Sequence, residues 1–505
     1  MQPNILLITS DQQHYSTLGS VNPKIKTPHL DALAAGGTRF DRAYCPNPTC
    51  TPTRASIITG QYPSQHGAWA LGTHLLPDVP TLGDALAKAG YFTSLIGKAH
   101  FQGLASKPGW ESIELWPKFR DLDFWRNFHG PWFGFEHVET ARMHGDEPWA
   151  GGHYAVWMED NGFADWQEYF DTWPQDRNRR SQYYDVEKRR WTLPAEMHYT
   201  TWTGQRTAAQ IERAAAEERP FFVWASFHDP HPPYIVPEPW ASMYDPADME
   251  PGRLVEGEHE LNPPHFGMTQ QQRPDFKQFG EEGVIHGGHS HLRDVEEIKK
   301  DMACYYGMQS FIDQEVGRIL DTLERTGQAE NTLVVYSTDH GHFLGQHGLV
   351  AKAIHHYEDL LRVPFIVRWP GQVPAGGVSD QLQNLVDLAP TFLAAAGLEV
   401  PGAMTGLDQL PSWRGDGPVR SWSVTENHHG YRHFHMRSYV NQRYKITVYR
   451  DEAYGELFDL QEDPAETRNL WDEPAAAGLK SQLLLEFMQA TLQSEPQRMP
   501  RIAGA

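Results

Sequence analysis

Four apolar runs of strand length share one feature: each is followed at once by polar side chains able to do chemistry. NILLIT (4–9) leads into Asp11 and Gln12, and FTSLIG (92–97) into Lys98 and His100. PFFVWASF (220–227) leads into His228, Asp229 and His231, and TLVVYST (332–338) into Asp339 and His340. Nearly continuous apolar strands are those covered on both faces, as in a parallel sheet. Between them lie stretches of helical pattern: TPHLDALAAGG (27–37), TLGDALAKAG (81–90) and the long segment 303–327. Strands alternating with helices predict an α/β sheet, and such sheets bind ligands at the carboxyl ends of their strands. The four runs therefore point to one shared site.

The pattern changes towards the C-terminus. VRSWSVTEN (419–427), 434–451 and GELFDLQEDPAETRNLW (455–471) predict short antiparallel strands, and AGLKSQLLLEFMQATLQ (477–493) a closing helix. The expected organisation is a catalytic domain over 1–418, with an insert at about 104–200, and a smaller α+β subdomain over 419–505. The Pro/Gly-rich PSWRGDGP (411–418) is the expected joint.

Composition narrows the partners. The 505 residues suffice for one large domain and a smaller one, and no apolar run is long enough to cross a membrane. A formal charge of -22 disfavours nucleic acid and anionic membranes. An anionic substrate would be repelled by that field, so its site must carry local cations. Three cysteines and an N-terminus without a visible secretory signal fit a cytoplasmic protein.

Two of the cysteines lie in CPNPTCTPTRASIITG (45–60). Thr51 as N-cap, Pro52 at the first helical position and Gly60 as a stop predict a short helix beginning at Cys50. A side chain there faces unpaired N–H groups and the positive end of the helix dipole, with Arg54 one turn on. Read alone, the segment is equally well a turn with a buried structural cysteine.

CTPTR (50–54) and six further stretches after it bear on the choice: ASIITGQYPSQHG, GKAH, HDPHPPY, STDHGHFLGQHGLVAK, YEDLLRVPFIV and GELFDLQEDPAETRNL. In this chain order they resemble the formylglycine-dependent sulfatases of the alkaline phosphatase superfamily, over nearly the whole chain except roughly 104–200 and 245–300. The resemblance implies an alkaline-phosphatase-like fold, a large mixed and mostly parallel sheet flanked by helices. It implies that Cys50 is matured to formylglycine by a formylglycine-generating enzyme. One hydroxyl of the hydrated aldehyde attacks sulfur to form a covalent sulfo-enzyme, and the other releases sulfate. Cys45, outside the motif, reads as a small core residue.

The same resemblance implies a site for one divalent metal at Asp11, Gln12, Asp339, His340 and the modified Cys50. Many sulfatases carry an aspartate and an asparagine where this chain has Gln12 and His340, and those sites hold calcium. Losing a carboxylate and gaining an imidazole favours manganese, with zinc and calcium as alternatives. These departures resemble the phosphonate monoester hydrolases and choline sulfatases. Lys98, Lys352 and Arg54 match the cations that grip the sulfate, His231 the proton donor to the leaving group, and His100 a base for the second hydroxyl. Lys98 and His100, two apart, point the same way if the segment is extended. His228 and His347 read as supporting or packing residues.

The expected activity is hydrolysis of sulfate monoesters of arylsulfatase type. The alternatives are a phosphonate monoester or phosphodiester hydrolase using the same site, and a non-catalytic metal-binding relative. The substrate is expected to be a small anionic ester and the protein a homo-oligomer, dimer or tetramer. The insert holds Trp110, Trp125, Trp132, Trp149, Trp157 and Trp173, which favour packing or a subunit contact over a substrate wall. Of the histidine-rich stretches, 426–435 offers His433 or His435 as residues reaching the site, and GVIHGGHSHLR (283–293) reads as a mobile loop.

Overall fold

All four apolar runs become neighbouring parallel strands, in the order Thr332–Thr338, Asn4–Ser10, Phe221–Ser226, Phe92–Gly97. This arrangement comes from a computed structural model, which describes residues 2–103, 106–115, 117–141, 150–170, 183–185, 187–272, 275–279, 294–352, 354–429, 434–499 and 501–502. His137–Thr140 extends the sheet beyond Phe92–Gly97. On the other side follow Ile366–Arg368, Thr38–Phe40 and Gly377–Ser379, making eight strands. Ile366–Arg368 runs antiparallel to both its neighbours, so the sheet is mixed and mostly parallel.

Burial explains the unbroken apolar runs. Ile5 and Leu7 face one core with Phe222, Trp224, Leu333 and Val335. Leu6 and Ile8 face the other with Val223, Ala225, Val334 and Tyr336. A strand covered on both faces has no solvent side on which a polar residue would be favoured. Helices Cys50–Thr59, Leu82–Lys88 and Leu388–Ala395 cover the first face. Pro28–Ala35, Tyr199–Ala216 and Val295–Arg325 cover the second. The last begins at Val295 rather than Ala303, where the Asp294 carboxylate caps the N–H of Glu296. Its first two turns bury only Ile298, Asp301 and Met302, too sparse a stripe to read as helix.

Register sets the height of the site. Ser10 lies opposite Thr338, Thr9 opposite Ser226, and Ser226 opposite Gly97. The strands end at one level, so the polar residues that follow emerge together.

A four-stranded antiparallel sheet, Ser423–His429, Phe434–Val440, Tyr444–Tyr449 and Gly455–Asp459, precedes the helix Ala477–Gln493. It is docked against the loop before Cys50: Glu426 N–H donates to Pro46 O (2.8 Å), and the Asn47 amide donates to Glu426 O (2.7 Å). The expected joint begins as a short helix, Leu410–Arg414, with Trp413 buried against Phe365 and Phe392. In the insert, Trp125 is buried beside Phe119 and Trp132 lies against Phe101, whereas Trp110 is 52% exposed. Trp157 is partly buried against the core of the insert. Trp149, Trp173, residues 283–293 and His433 lie outside the described residues. Among the described residues no helix is long and apolar enough to cross a membrane.

Candidate active site

Cys50 opens a wholly buried helix, Cys50–Thr59, which Gly60 ends at φ 61°. Thr51 is not its N-cap. That position belongs to Thr49, whose N–H and hydroxyl both donate to Asn47 Oδ1 (2.8 and 2.6 Å). Asn47 makes the turn with its own side chain, which puts the cap two residues before Thr51 while the helix still opens at Cys50.

Around the Cys50 thiol the strand ends converge. His340 Nε2 is 3.3 Å from Sγ, Lys352 Nζ 3.1 Å, Asp11 Oδ1 3.7 Å and Lys98 Nζ 3.9 Å. Lys98 is fully buried and ion-paired to Asp11. Arg54, one turn into the helix, donates through Nε to Asp339 Oδ2 (2.9 Å) and through Nη1 to Lys98 O and Ser226 Oγ (2.9 and 2.7 Å). Its Nη2 makes no hydrogen bond among the described residues and lies 3.6 Å from Asp11 Oδ2. Three cations thus face two carboxylates, an excess of positive charge inside a chain of -22.

The protonation states follow from burial and neighbours. Burial, then Asp11, pushes the Cys50 thiol up to about 11, so an unmodified thiol here stays protonated at neutral pH. Burial lowers His340 to about 4. Its Nδ1 donates to Gly341 O (3.0 Å), which leaves the Nε2 lone pair directed at Sγ. Burial and Asp11 would both raise Asp339, but His340, Arg54 and Lys98 hold it below the usual carboxylate range.

Asp11, Cys50, Asp339 and His340 place four ligand atoms within 4.8 Å of one another. Gln12, the fifth expected ligand, lies beside this group. Its backbone is left-handed at φ 64°, its N–H donates to Asp339 Oδ1 (2.9 Å), and its buried Oε1 has no hydrogen-bond partner among the described residues. A buried amide oxygen left unpaired costs about 1–3 kcal/mol, and a cation beside it would remove that cost. The donors fit a divalent metal: carboxylate and amide oxygens, plus an imidazole nitrogen oriented by a carbonyl on its far side.

The remaining candidates occupy the rim. His231 is partly exposed. Its Nδ1 donates to Pro232 O (2.5 Å), and its Nε2 accepts from Lys352 Nζ (3.3 Å). Lys352 also lies 3.4 Å from His340 Nε2, so one ammonium spans thiol, metal-site imidazole and rim imidazole. Lys98 and His100 do not follow strand alternation: Gly97 at φ 103° ends the extended chain, and His100 sits at φ 54°. His100 is held through its backbone, since its N–H and that of Gln102 donate to the two carboxylate oxygens of Glu114 (2.7 and 2.8 Å). Glu114 sits in the insert, where no motif marked it. His228 Nε2 contacts Ala141 O (2.9 Å), and His347 lies between Glu258 (3.2 Å) and Asp359 (3.6 Å). His435 stacks on His428, which stacks on Trp69. Cys45 is buried in the core with its thiol towards Leu360 O.

Comparison with known proteins assigns the chain to a family. The Sulfatase family profile matches residues 3–398, and that of the N-sulphoglucosamine sulphohydrolase C-terminal region matches 345–493. The chain belongs to the sulfatase family. Among its relatives is the multifunctional alkaline phosphatase superfamily protein PehA of Trinickia caryophylli, 29% identical over 518 residues, covering 94% of this chain and 92% of PehA. An arylsulfatase of Clostridium perfringens is 27% identical over 489 residues, covering 93% and 90%. The fold matches a solved phosphonate monoester hydrolase from Silicibacter pomeroyi with a TM-score of 0.78, 24% identity and coverage of 98% and 96%. This sulfatase is therefore a hydrolase built on an alkaline-phosphatase-like fold, whose family implies a divalent metal and a formylglycine.

Proposed function

We propose that the protein hydrolyses sulfate monoesters of arylsulfatase type, through formylglycine matured from Cys50 and a covalent sulfo-enzyme. The observation that carries this reading is the buried convergence of Cys50, Arg54, Lys98 and Lys352 with the donor set of Asp11, Gln12, Asp339 and His340. Asp11, Gln12, Asp339 and His340 would hold a divalent ion, manganese by the choice of donors, which when bound would supply Lewis-acid polarisation and lower the pKa of the nucleophilic hydroxyl. Arg54 fixes the helix that aims position 50 and neutralises Asp339. Lys98 and Lys352 flank the position from two strand ends and hold the tetrahedral anion against it. Lys352 and His231, already sharing a hydrogen bond, move the proton to the leaving-group oxygen. His100, on the loop clamped by Glu114, is the base that frees the second hydroxyl.

Phosphonate monoester hydrolysis is the second reading, favoured by the Gln12 and His340 donors and by the similarity to the Silicibacter pomeroyi structure. Sulfate and phosphonate monoesters are both singly charged tetrahedra, so one site accepts either. The test is turnover of aryl sulfates and aryl phosphonate monoesters with the same phenol, before and after metal removal, on enzyme produced with a formylglycine-generating enzyme. The expected result is a higher kcat/KM for the sulfate and loss of both activities without metal. A higher value for the phosphonate establishes the second reading, and no turnover of either ester ends both.

A further inference from the structure

The amide of Gln12 has two ends, and only one can serve a cation. Its Nε2 is 2.9 Å from His342 Nδ1. An amide nitrogen only donates, so His342 Nδ1 is the acceptor and its proton sits on Nε2, which donates to Tyr234 OH (2.9 Å). The imidazole is stacked as well as bonded: the Tyr305 ring lies on one face of it at 4.8 Å and 11°. The Tyr305 hydroxyl donates to Gln12 O (2.9 Å) and accepts from His14 N–H (2.8 Å). His342, Tyr305 and Gln12 are all buried, so water offers no alternative partner for either end of the amide.

We infer that His342 and Tyr234 are positioning residues that lock the Gln12 side chain with its oxygen towards the metal position. The inference rests on the metal site proposed above and adds to it the device that sets the affinity of its one neutral oxygen donor. Freed from His342, the amide can rotate and present its NH2 group, a donor that repels a cation. Outer hydrogen bonds of this kind change metal affinity by roughly 10–100-fold.

The test uses the full-length protein, stripped of metal and titrated with Mn2+ by calorimetry, with circular dichroism to verify folding. His342→Leu should weaken Mn2+ binding about 10–100-fold and Tyr234→Phe by a smaller factor. His342→Asn, which keeps an acceptor near the Nδ1 position, should restore most of the affinity. In a Gln12→Ala background His342→Leu should have no further effect, because the group it acts through is gone. Unchanged affinity in His342→Leu, or an undiminished loss in the Gln12→Ala background, overturns the inference. Should His342→Leu not fold, Tyr234→Phe alone and combined with Gln12→Ala decides in the same way. If the wild-type protein binds no Mn2+, the metal site itself is wrong. If it binds and the variants match it, only the positioning role falls.

Discussion

Two buried arginines, Arg54 and Arg420, show what separates a site from a joint. Arg420 closes on itself: Nε and Nη2 donate to the two oxygens of Asp387 (2.9 and 2.5 Å), and Nη1 to Trp422 O and the Tyr62 hydroxyl. Asp387 also accepts from Gln409 and from Leu407 N–H, so each of its charges is matched within the protein. Arg54 lies among charges that do not close. Among the described residues its Nη2 lacks a hydrogen bond, Gln12 Oε1 lacks a donor, and three cations face two carboxylates. Buried polar atoms are costly when unmatched, and the joint has one too in Gln409 Oε1; what sets the site apart is that its unmatched atoms come with an excess of charge, which a bound ligand would offset.

The largest expected effect lies on the open side of this comparison. Cys50→Ala should lower turnover by at least about 10⁴-fold while thermal unfolding stays close to wild type, because only a small side chain is lost. Peptide mass spectrometry across residues 45–54 should show formylglycine in active enzyme; only unmodified thiol in active enzyme would remove the proposed nucleophile.

The same substitution at the two arginines sharpens the contrast. Lysine cannot reproduce a forked guanidinium, so Arg420→Lys should cost on the order of 3 kcal/mol in denaturant unfolding with kcat/KM of the folded enzyme nearly unchanged. Arg54→Lys should instead lower kcat/KM by about 10²–10³-fold. Equal losses of activity at both positions would erase the distinction between site and joint.

His340→Ala tests the unpaired side from the metal. With its nitrogen donor gone, Mn2+ affinity should fall at least about tenfold, and elemental analysis after dialysis should show depletion. Full metal content would remove His340 from the ligand set.

The smallest effect belongs to a closed cluster beside the site. Burial lowers the basicity of His347, but the carboxylates of Asp359 and Glu258 prevail and raise it to about 9, above its ordinary 6.5. A folded-state value above the unfolded one stabilises fully below pH 6.5, and that contribution fades as pH rises through 9. Between pH 7 and 8.5 the wild type should lose on the order of 2 kcal/mol from this group. His347→Gln should be less stable at pH 7 and lose less over the same interval. Parallel pH profiles would mean that the imidazolium contributes nothing.

Much of the molecule was legible in the chain before folding. Apolar runs without a polar alternate marked strands covered on both faces, and the residues after them marked the sheet edge where Asp11, Lys98, Asp339 and His340 meet. Both are local signals, a run of side chains and its immediate successor. The short helix at Cys50 was legible for the same reason, although its cap was not, because the Asn47 side chain turns the chain at Thr49.

What escaped the sequence depends on partners far away along the chain. Gln12 and His342 are 330 positions apart, so which end of the Gln12 amide His342 holds was decided only when the segments after their strands became neighbours. Glu114 clamps the His100 loop from an insert without a motif, and His100 itself adopts a left-handed backbone that strand alternation does not anticipate. Arg420 and Asp387 read as ordinary charges until burial makes each the other's obligatory partner. The sequence by itself determined which polar residues follow the strands and that the strands end together. Tertiary structure decided their orientation, their protonation and which charges remain unmatched, because hydrogen bonds and desolvation depend on neighbours in space rather than in sequence.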